Sequence, residues 1–177
     1  MRFDATPLEG AYVIELEPHG DDRGHFARTY CQAEFSQHGL AATVMQANTA
    51  FSKHKGTLRG MHYQVAPHAE AKLVRCIRGA LFDVMVDLRP DSVTYCQWFG
   101  LELTPDGGRM LYVPEGFAHG YQTLMDDTEV IYQVSASYAP QAERGVRWDE
   151  ARFGIQWPIT DAVILSDKDR AWPDFEA

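Results

Sequence analysis

The chain has 177 residues, 45% of them hydrophobic, and a formal net charge of −9. That length suits one domain over residues 1–177 and buries about two-thirds of the unfolded surface. The acidic balance argues against nucleic acid as a partner, which needs a basic face, and no apolar run of roughly 18 residues is present to span a membrane.

The first ten residues carry Asp4 and Glu9 and no apolar core, so they do not read as a signal peptide, and a cytoplasmic location is expected. Beyond them, runs rich in Val, Ile, Tyr, Phe and Thr alternate with turn residues. They predict strands at Tyr12–Leu16, Gly24–Tyr30, Thr43–Ala50, Leu58–Gln64, Lys72–Arg78, Ala80–Asp87, Tyr95–Leu103, Arg109–Val113, Gly120–Leu124 and Glu129–Val134. Gln32–His38, closed by Gly39, is the best helix candidate. Short strands with almost no helix predict an all-β sandwich, jelly roll or barrel. In the strand from Ala80 to Asp87, Leu81, Asp83, Met85 and Asp87 share one face and Phe82, Val84 and Val86 the other. Asp83 and Asp87 therefore need partners if their face is covered.

Cys31, Cys76 and Cys96 match no metal or redox spacing and are expected to be reduced, mostly buried thiols. Of seven histidines, His19, His25, His38, His54 and His68 lie in polar or turn-like surroundings. His62 and His119 differ, because each sits beside glycine near a strand end, where a small barrel opens to a ligand. Arg23, Arg28, Arg59, Lys72 and His119 are the groups available to make a cleft locally positive for an anion.

Pro114-x-Gly116-x-x-His119 matches the second motif of the cupins, and Gly56 to His62 resembles the first. Metal-binding cupins carry His-x-His there, whereas this chain reads His62-Tyr63-Gln64. Two histidines are too few for a transition metal unless carboxylates such as Asp83 join them, so no catalytic metal is expected. An imidazole with an ordinary pKa near 6.5 is suited to act as a general base instead, given an acceptor to orient it. Asp169 is one candidate acceptor, although the pattern around Asp167 and Asp169 by itself reads as a solvated turn.

An ordered set of motifs then resembles the dTDP-4-dehydrorhamnose 3,5-epimerase family of the cupin superfamily. The set is Asp22-Arg23-Gly24-x-Phe26, Gln46-x-Asn48, Gly56-x-Leu58-Arg59-Gly60-x-His62-Tyr63-Gln64, Lys72-Leu73-Val74, Asp83-Val84-x-Val86-Asp87-Leu88-Arg89, Pro114-x-Gly116-Phe117-Ala118-His119-Gly120, Tyr132 with Tyr138, Trp157-Pro158 and Ser166-x-Lys168-Asp169. The resemblance implies a cupin-type double-stranded β-helix, a jelly-roll barrel with few short helices. It implies inversion of carbons 3 and 5 of dTDP-4-dehydro-6-deoxy-D-glucose, through an enolate and without a cofactor. Inversion of one carbon, or another nucleotide-linked 4-ketosugar, stays open as the alternative. A metal-dependent cupin and a non-catalytic sugar-binding cupin are the other readings.

By the same resemblance His62 matches the base, Asp169 its orienting carboxylate, Tyr132 the acid on the opposite face and Lys72 the cation at the oxyanion. Arg23, Arg59, His119 and Lys168 match contacts to the diphosphate or sugar. Gln46, Asn48 and Glu143 match polar contacts to the nucleotide, and Phe26 and Tyr138 match aromatics flanking the base. The family implies a homodimer whose N-terminal strands cross to the partner, so that Arg23 and Phe26 serve the neighbouring pocket. Arg28, Ala50 and Glu70 depart from the family pattern, which has Gln where Glu70 stands, and none is expected to touch the acid–base set. Arg59 and His62 are three apart, so both reach one pocket only if Gly60 marks a bulge.

Overall fold

The computed structural model describes residues 1–176. Thirteen strands form two packed sheets and a hairpin. The strands are β1 Arg2–Ala5, β2 Tyr12–Glu15, β3 His19–Asp21, β4 Gly24–Phe26, β5 Gln46–Ser52, β6 Leu58–Gln64, β7 Lys72–Arg78, β8 Leu81–Asp87, β9 Trp98–Leu103, β10 Arg109–Val113, β11 Phe117–Thr123, β12 Thr128–Val134 and β13 Glu143–Gly145. One sheet runs β1-β2-β10-β7-β12-β5, the other β13-β6-β11-β8-β9, and β3 pairs with β4 alone. Every named ladder is antiparallel, as a jelly roll requires.

Several boundaries differ from the sequence expectation. Strands β1, β3 and β13 are too short to show an alternating pattern, and the strand expected from Gly24 to Tyr30 ends at Phe26. Strand β11 begins at Phe117 and not at Gly120, so His119 lies inside it. All seven of its residues are buried, which erases the period-two signal that marks a half-exposed strand.

Each sheet has a covered outer face. Between the sheets lie Val74, Cys76, Leu81, Met85, Leu111, Phe117, Tyr121 and Val130. Outside the five-stranded sheet, Leu58, Met61, Val84, Val86 and Ala118 meet Val146, Phe153 and Trp157 of the C-terminal segment. Outside the six-stranded sheet, Ile14, Leu73, Met110 and Tyr112 meet Phe35. Phe35 is the one buried residue of helix α1, Gln32–Gln37. Full burial of a side chain of this size contributes about 1.5–3 kcal/mol. Gly39 ends the helix at φ +69, with Leu40 N–H donating to the Phe35 carbonyl and Gly39 N–H to that of Ser36.

Strand β8 keeps the two faces read from its sequence, and both are covered. Asp87 is fully buried and accepts hydrogen bonds from Arg89, Ser92 and Thr94. Cys76 is the one buried cysteine, whereas Cys31 and Cys96 are partly exposed, so burial of the thiols is less complete than expected.

Candidate active site

A cavity of about 610 Å³ opens between the sheets. Strand alternation supplies its walls. Gln46, Asn48 and Ala50 on β5, Lys72 and Val74 on β7, and Val130, Tyr132 and Val134 on β12 are spaced two apart and face inward from the six-stranded sheet. His119 and Tyr121 on β11 face them from the other sheet.

Strand β6 breaks that rule where the site needs it. His62 is opposite His119 and Arg59 is opposite Tyr121, so three steps on β6 answer two on β11. The extra residue is a bulge at Gly60, whose φ is +149. It turns Met61 outward, where it is fully buried, and brings both Arg59 and His62 into the cavity. A side chain at Gly60 would lie 2.6 Å from the Gly120 Cα, so only glycine lets the two backbones approach this closely.

His62 Nε2 lies 2.5 Å from Asp169 Oδ1. Asp169 is buried at 5% exposure, so its expected placement in a solvated turn is overturned. The reason is tertiary: Leu58 N–H bonds to the Ile164 carbonyl and Ile164 N–H to that of Gly56, which ties the C-terminal segment to the start of β6. The short helix α2, Asp167–Arg170, then starts at Ser166, whose hydroxyl accepts from Asp169 N–H at 3.0 Å and donates to Asp169 Oδ2 at 2.9 Å. Ser166-x-x-Asp169 is a helix-start pattern, a signal in the sequence for this turn. Burial opposes the Asp169 charge, but the bond and charge of His62 and the Ser166 hydroxyl hold its carboxyl below the usual range. A carboxylate only accepts, so Nε2 carries the proton facing Asp169, and in the neutral imidazole Nδ1 then holds the lone pair.

Tyr132 faces the cavity from β12. Burial first, and then the negative charge of Glu70, raise its phenol above the ordinary value, while Arg59 opposes them. Lys72 is buried, with Nζ 3.3 Å from Glu70 Oε1 and 3.4 Å from the His62 carbonyl. Glu70 therefore touches the acid–base set, contrary to the expectation for the departures. Glu70 lies just before β7 begins, so strand alternation does not place it, and its contact with Lys72 shows only in the structure. Ala50 lines the cavity as well, whereas Arg28 pairs with Glu34 at 3.5 Å away from it.

The rim carries Gln46, Tyr138, Glu143 and Lys168. Gln46 Oε1 accepts from Tyr138 N–H at 2.8 Å, the Tyr138 hydroxyl donates to Glu143 at 2.9 Å, and Lys168 Nζ lies 2.5 Å from Glu143. His119 Nε2 is 2.7 Å from Asp83. Arg59 is different, because its guanidinium donates only to Ser52 Oγ and the Phe51 carbonyl, at 3.2 and 3.1 Å, among the described residues. That leaves Arg59 with charge to offer an anion.

Arg23 and Phe26 do not join this cavity. They lie on the exposed β3–β4 hairpin, where Arg23 pairs with Asp21 and Phe26 is 68% exposed. Tyr63 and Gln64, which belong to the Gly56–Gln64 motif but have no role assigned from the sequence, also line the wall, as does Tyr121. Burial pushes the Tyr121 hydroxyl up to about 12, and among the described residues that hydroxyl has no hydrogen-bond partner. Among the described residues no three His, Cys, Asp or Glu side chains come together as a metal site would need.

The family model for dTDP-4-dehydrorhamnose 3,5-epimerase matches residues 5–177. The chain belongs to that family. It is an isomerase of the epimerase type, with the cupin-type fold of its relatives. A dTDP-4-dehydrorhamnose 3,5-epimerase of Methanothermobacter thermautotrophicus is 43% identical over 174 residues, covering 97% of this chain and 93% of the relative. The crystal structure of the enzyme of that name from Elizabethkingia anophelis NUHP1 superposes with a TM-score of 0.96 at 38% identity, covering 99% of this chain and 96% of its own. The one from Bacillus anthracis strain Ames, solved with TDP and PPi bound, gives 0.94 at 41% identity, covering 98% and 99%. The cavity between the sheets is thus the candidate active site of a family member, with His62 and Tyr132 on opposite walls.

Proposed function

We propose that the chain inverts carbons 3 and 5 of dTDP-4-dehydro-6-deoxy-D-glucose, giving dTDP-4-dehydro-L-rhamnose. The observation that carries this reading is an oriented base and a protonated phenol facing one cavity from opposite sheets. Both carbons are α to the C4 ketone, so loss of a proton from either leaves an enolate. His62 Nδ1 takes the proton while Asp169 stabilises the imidazolium that forms. Lys72 holds the charge developing on the C4 oxygen. Tyr132 delivers a proton to the opposite face of the carbon, and solvent restores the phenol and removes the proton from His62. The configuration inverts, atoms balance, and no redox or metal step is required.

Arg59 is assigned to the diphosphate because its charge is free, with His119 and Lys168 beside it. Gln46, Asn48, Glu143 and Tyr138 are assigned to the nucleotide at the rim. A homodimer of single-domain chains, working in the cytoplasm, completes the reading. It is supported by the free outer edge of β1 and by the exposed hairpin that carries Arg23 and Phe26 away from their own cavity. Incubation with the ketosugar nucleotide in deuterated water tests it. Deuterium is expected at carbons 3 and 5; label at carbon 3 alone means a mono-epimerase, and no label at either carbon removes the assignment.

A further inference from the structure

Gln64, the last residue of β6, is 4% exposed and lies two residues after His62, so the two share the cavity face of the strand. Its amide grips the chain on both sides of Tyr138. Oε1 accepts the Ala139 N–H at 2.6 Å, and Nε2 donates to the Ser137 carbonyl at 3.3 Å. Nε2 also donates to the His68 carbonyl at 3.0 Å and to Glu70 Oε2 at 3.1 Å. A backbone N–H only donates and a carbonyl only accepts, so these bonds fix which way round the amide sits. Tyr138 itself gives its N–H to Gln46 Oε1 at 2.8 Å. Three consecutive residues are thus held by side-chain amides from β6 and β5, strands of different sheets. Glu143, directly opposite Gln64 in the β13–β6 ladder, takes the Tyr138 hydroxyl at 2.9 Å. Burial does not fix the ring between these two anchors, because Tyr138 is 56% exposed.

We propose that Gln64 is a positioning residue for the nucleotide: by clamping Ser137 and Ala139 it holds the Tyr138 ring at the cavity mouth, where a flat base stacks on it. This rests on the assignment of Tyr138 to the nucleotide. An aromatic side chain with half its surface in water samples several orientations unless its backbone is tied down, and ordering it on binding lowers affinity. The clamp orders the ring before the ligand arrives. The same amide holds Glu70, so one side chain on the strand of His62 ties the segment before β7 to the segment between β12 and β13.

Titration calorimetry with dTDP on the full chain tests this as a double-mutant cycle. Gln64→Met keeps the length of the side chain and removes the amide; Gln64→Asn keeps an amide one methylene too short to make the same bonds. Either change should raise the Kd about tenfold, the scale of one side chain left to be ordered on binding. In a Tyr138→Ala background the same changes should move the Kd by less than about twofold, because the ring they position is gone. Hydrogen exchange at the Ala139 amide should be slow in the parent and about tenfold or more faster in the Gln64 variants. If Tyr138→Ala weakens dTDP binding and a folded Gln64 variant does not, the proposal is overturned and the nucleotide reading stands. Equal losses with and without the Tyr138 ring overturn it as well, since they mean a general loosening of the cavity. A freely exchanging Ala139 amide in the parent removes the clamp even where neither Gln64 variant folds. If Tyr138→Ala leaves the Kd unchanged, the nucleotide assignment of Tyr138 fails and takes the affinity role with it, and Ala139 exchange alone decides whether the clamp exists.

Discussion

His62 and His119 face each other across the β6–β11 ladder, and each gives Nε2 to an aspartate, at 2.5 and 2.7 Å. The chemistry of the two pairs is alike and their surroundings are not. His62 keeps 29% of its side chain exposed to the cavity, against 10% for His119. Asp169 uses both oxygens, one on His62 and one on Ser166, while Asp83 is fully buried with Oδ2 unpartnered. The aspartate of the first pair arrives on α2, 107 residues along the chain; that of the second sits on the adjacent strand β8. A satisfied carboxylate behind an open imidazole suits proton transfer. A buried pair within one sheet suits a fixed contact at the wall.

The largest expected effect separates these roles. His62→Ala should slow deuterium incorporation by about a thousandfold or more, the scale of a lost general base. His119→Ala should weaken dTDP binding and leave exchange within about tenfold. Equal losses would break the comparison. Next come the aspartates. In Asp169→Asn the amide is able to present N–H to His62 and favour the wrong tautomer, so kcat should fall by about a hundredfold or more, while the Tm changes little. Asp83→Ala should instead lower stability by about 1–3 kcal/mol in denaturant unfolding, because His119 loses its buried partner.

Gly60→Ala probes the frame that puts the two histidines opposite each other. A Cβ 2.6 Å from the Gly120 Cα must displace β6 or β11. A stability loss of about 1–3 kcal/mol, with loss of exchange activity, is expected by thermal unfolding and the deuterium assay. The smallest effect on chemistry belongs to Asp87. Burial pushes its carboxyl up, but the bonds from Arg89, Ser92 and Thr94 win and bring it down to about 2. A folded pKa below the unfolded value of about 3.9 gives stability that is present above pH 4 and lost as pH falls towards 2. Asp87→Asn should flatten the pH dependence of unfolding in that window and leave the neutral-pH kcat close to the parent.

Much of the architecture was legible because its physics is local. Strand β8 alternates in sequence and in space, and Gly39 closes α1 as its place after the last helical turn predicts. The site was legible in part. His62 stands among glycines in a recognisable stretch, and Lys72 sits at the head of a strand. Glu70 reads as a departure that does not touch the acid–base set, and it lies before β7 begins, so its contact with Lys72 is not visible in the strand pattern. The local pattern around Asp169 reads as a solvated turn, and only the family resemblance matches it to the carboxylate behind His62, because nothing within a few residues of it reveals that Gly56, Leu58 and Ile164 tie the C-terminal segment to β6.

By itself the sequence determined the period-two faces, the glycines that permit turns and close approach, and the family. These are properties of single residues and short spacings. Tertiary structure alone decided which polar groups lose water and which partner each one finds. It decided that a bulge at Gly60 brings Arg59 and His62 to one side, that Asp169 is buried behind His62, and that Glu70 is seated between Gln64 and Lys72. Such contacts arise where strands and segments distant in the chain pack together. Burial makes each unpaired polar group costly enough there to fix its partner.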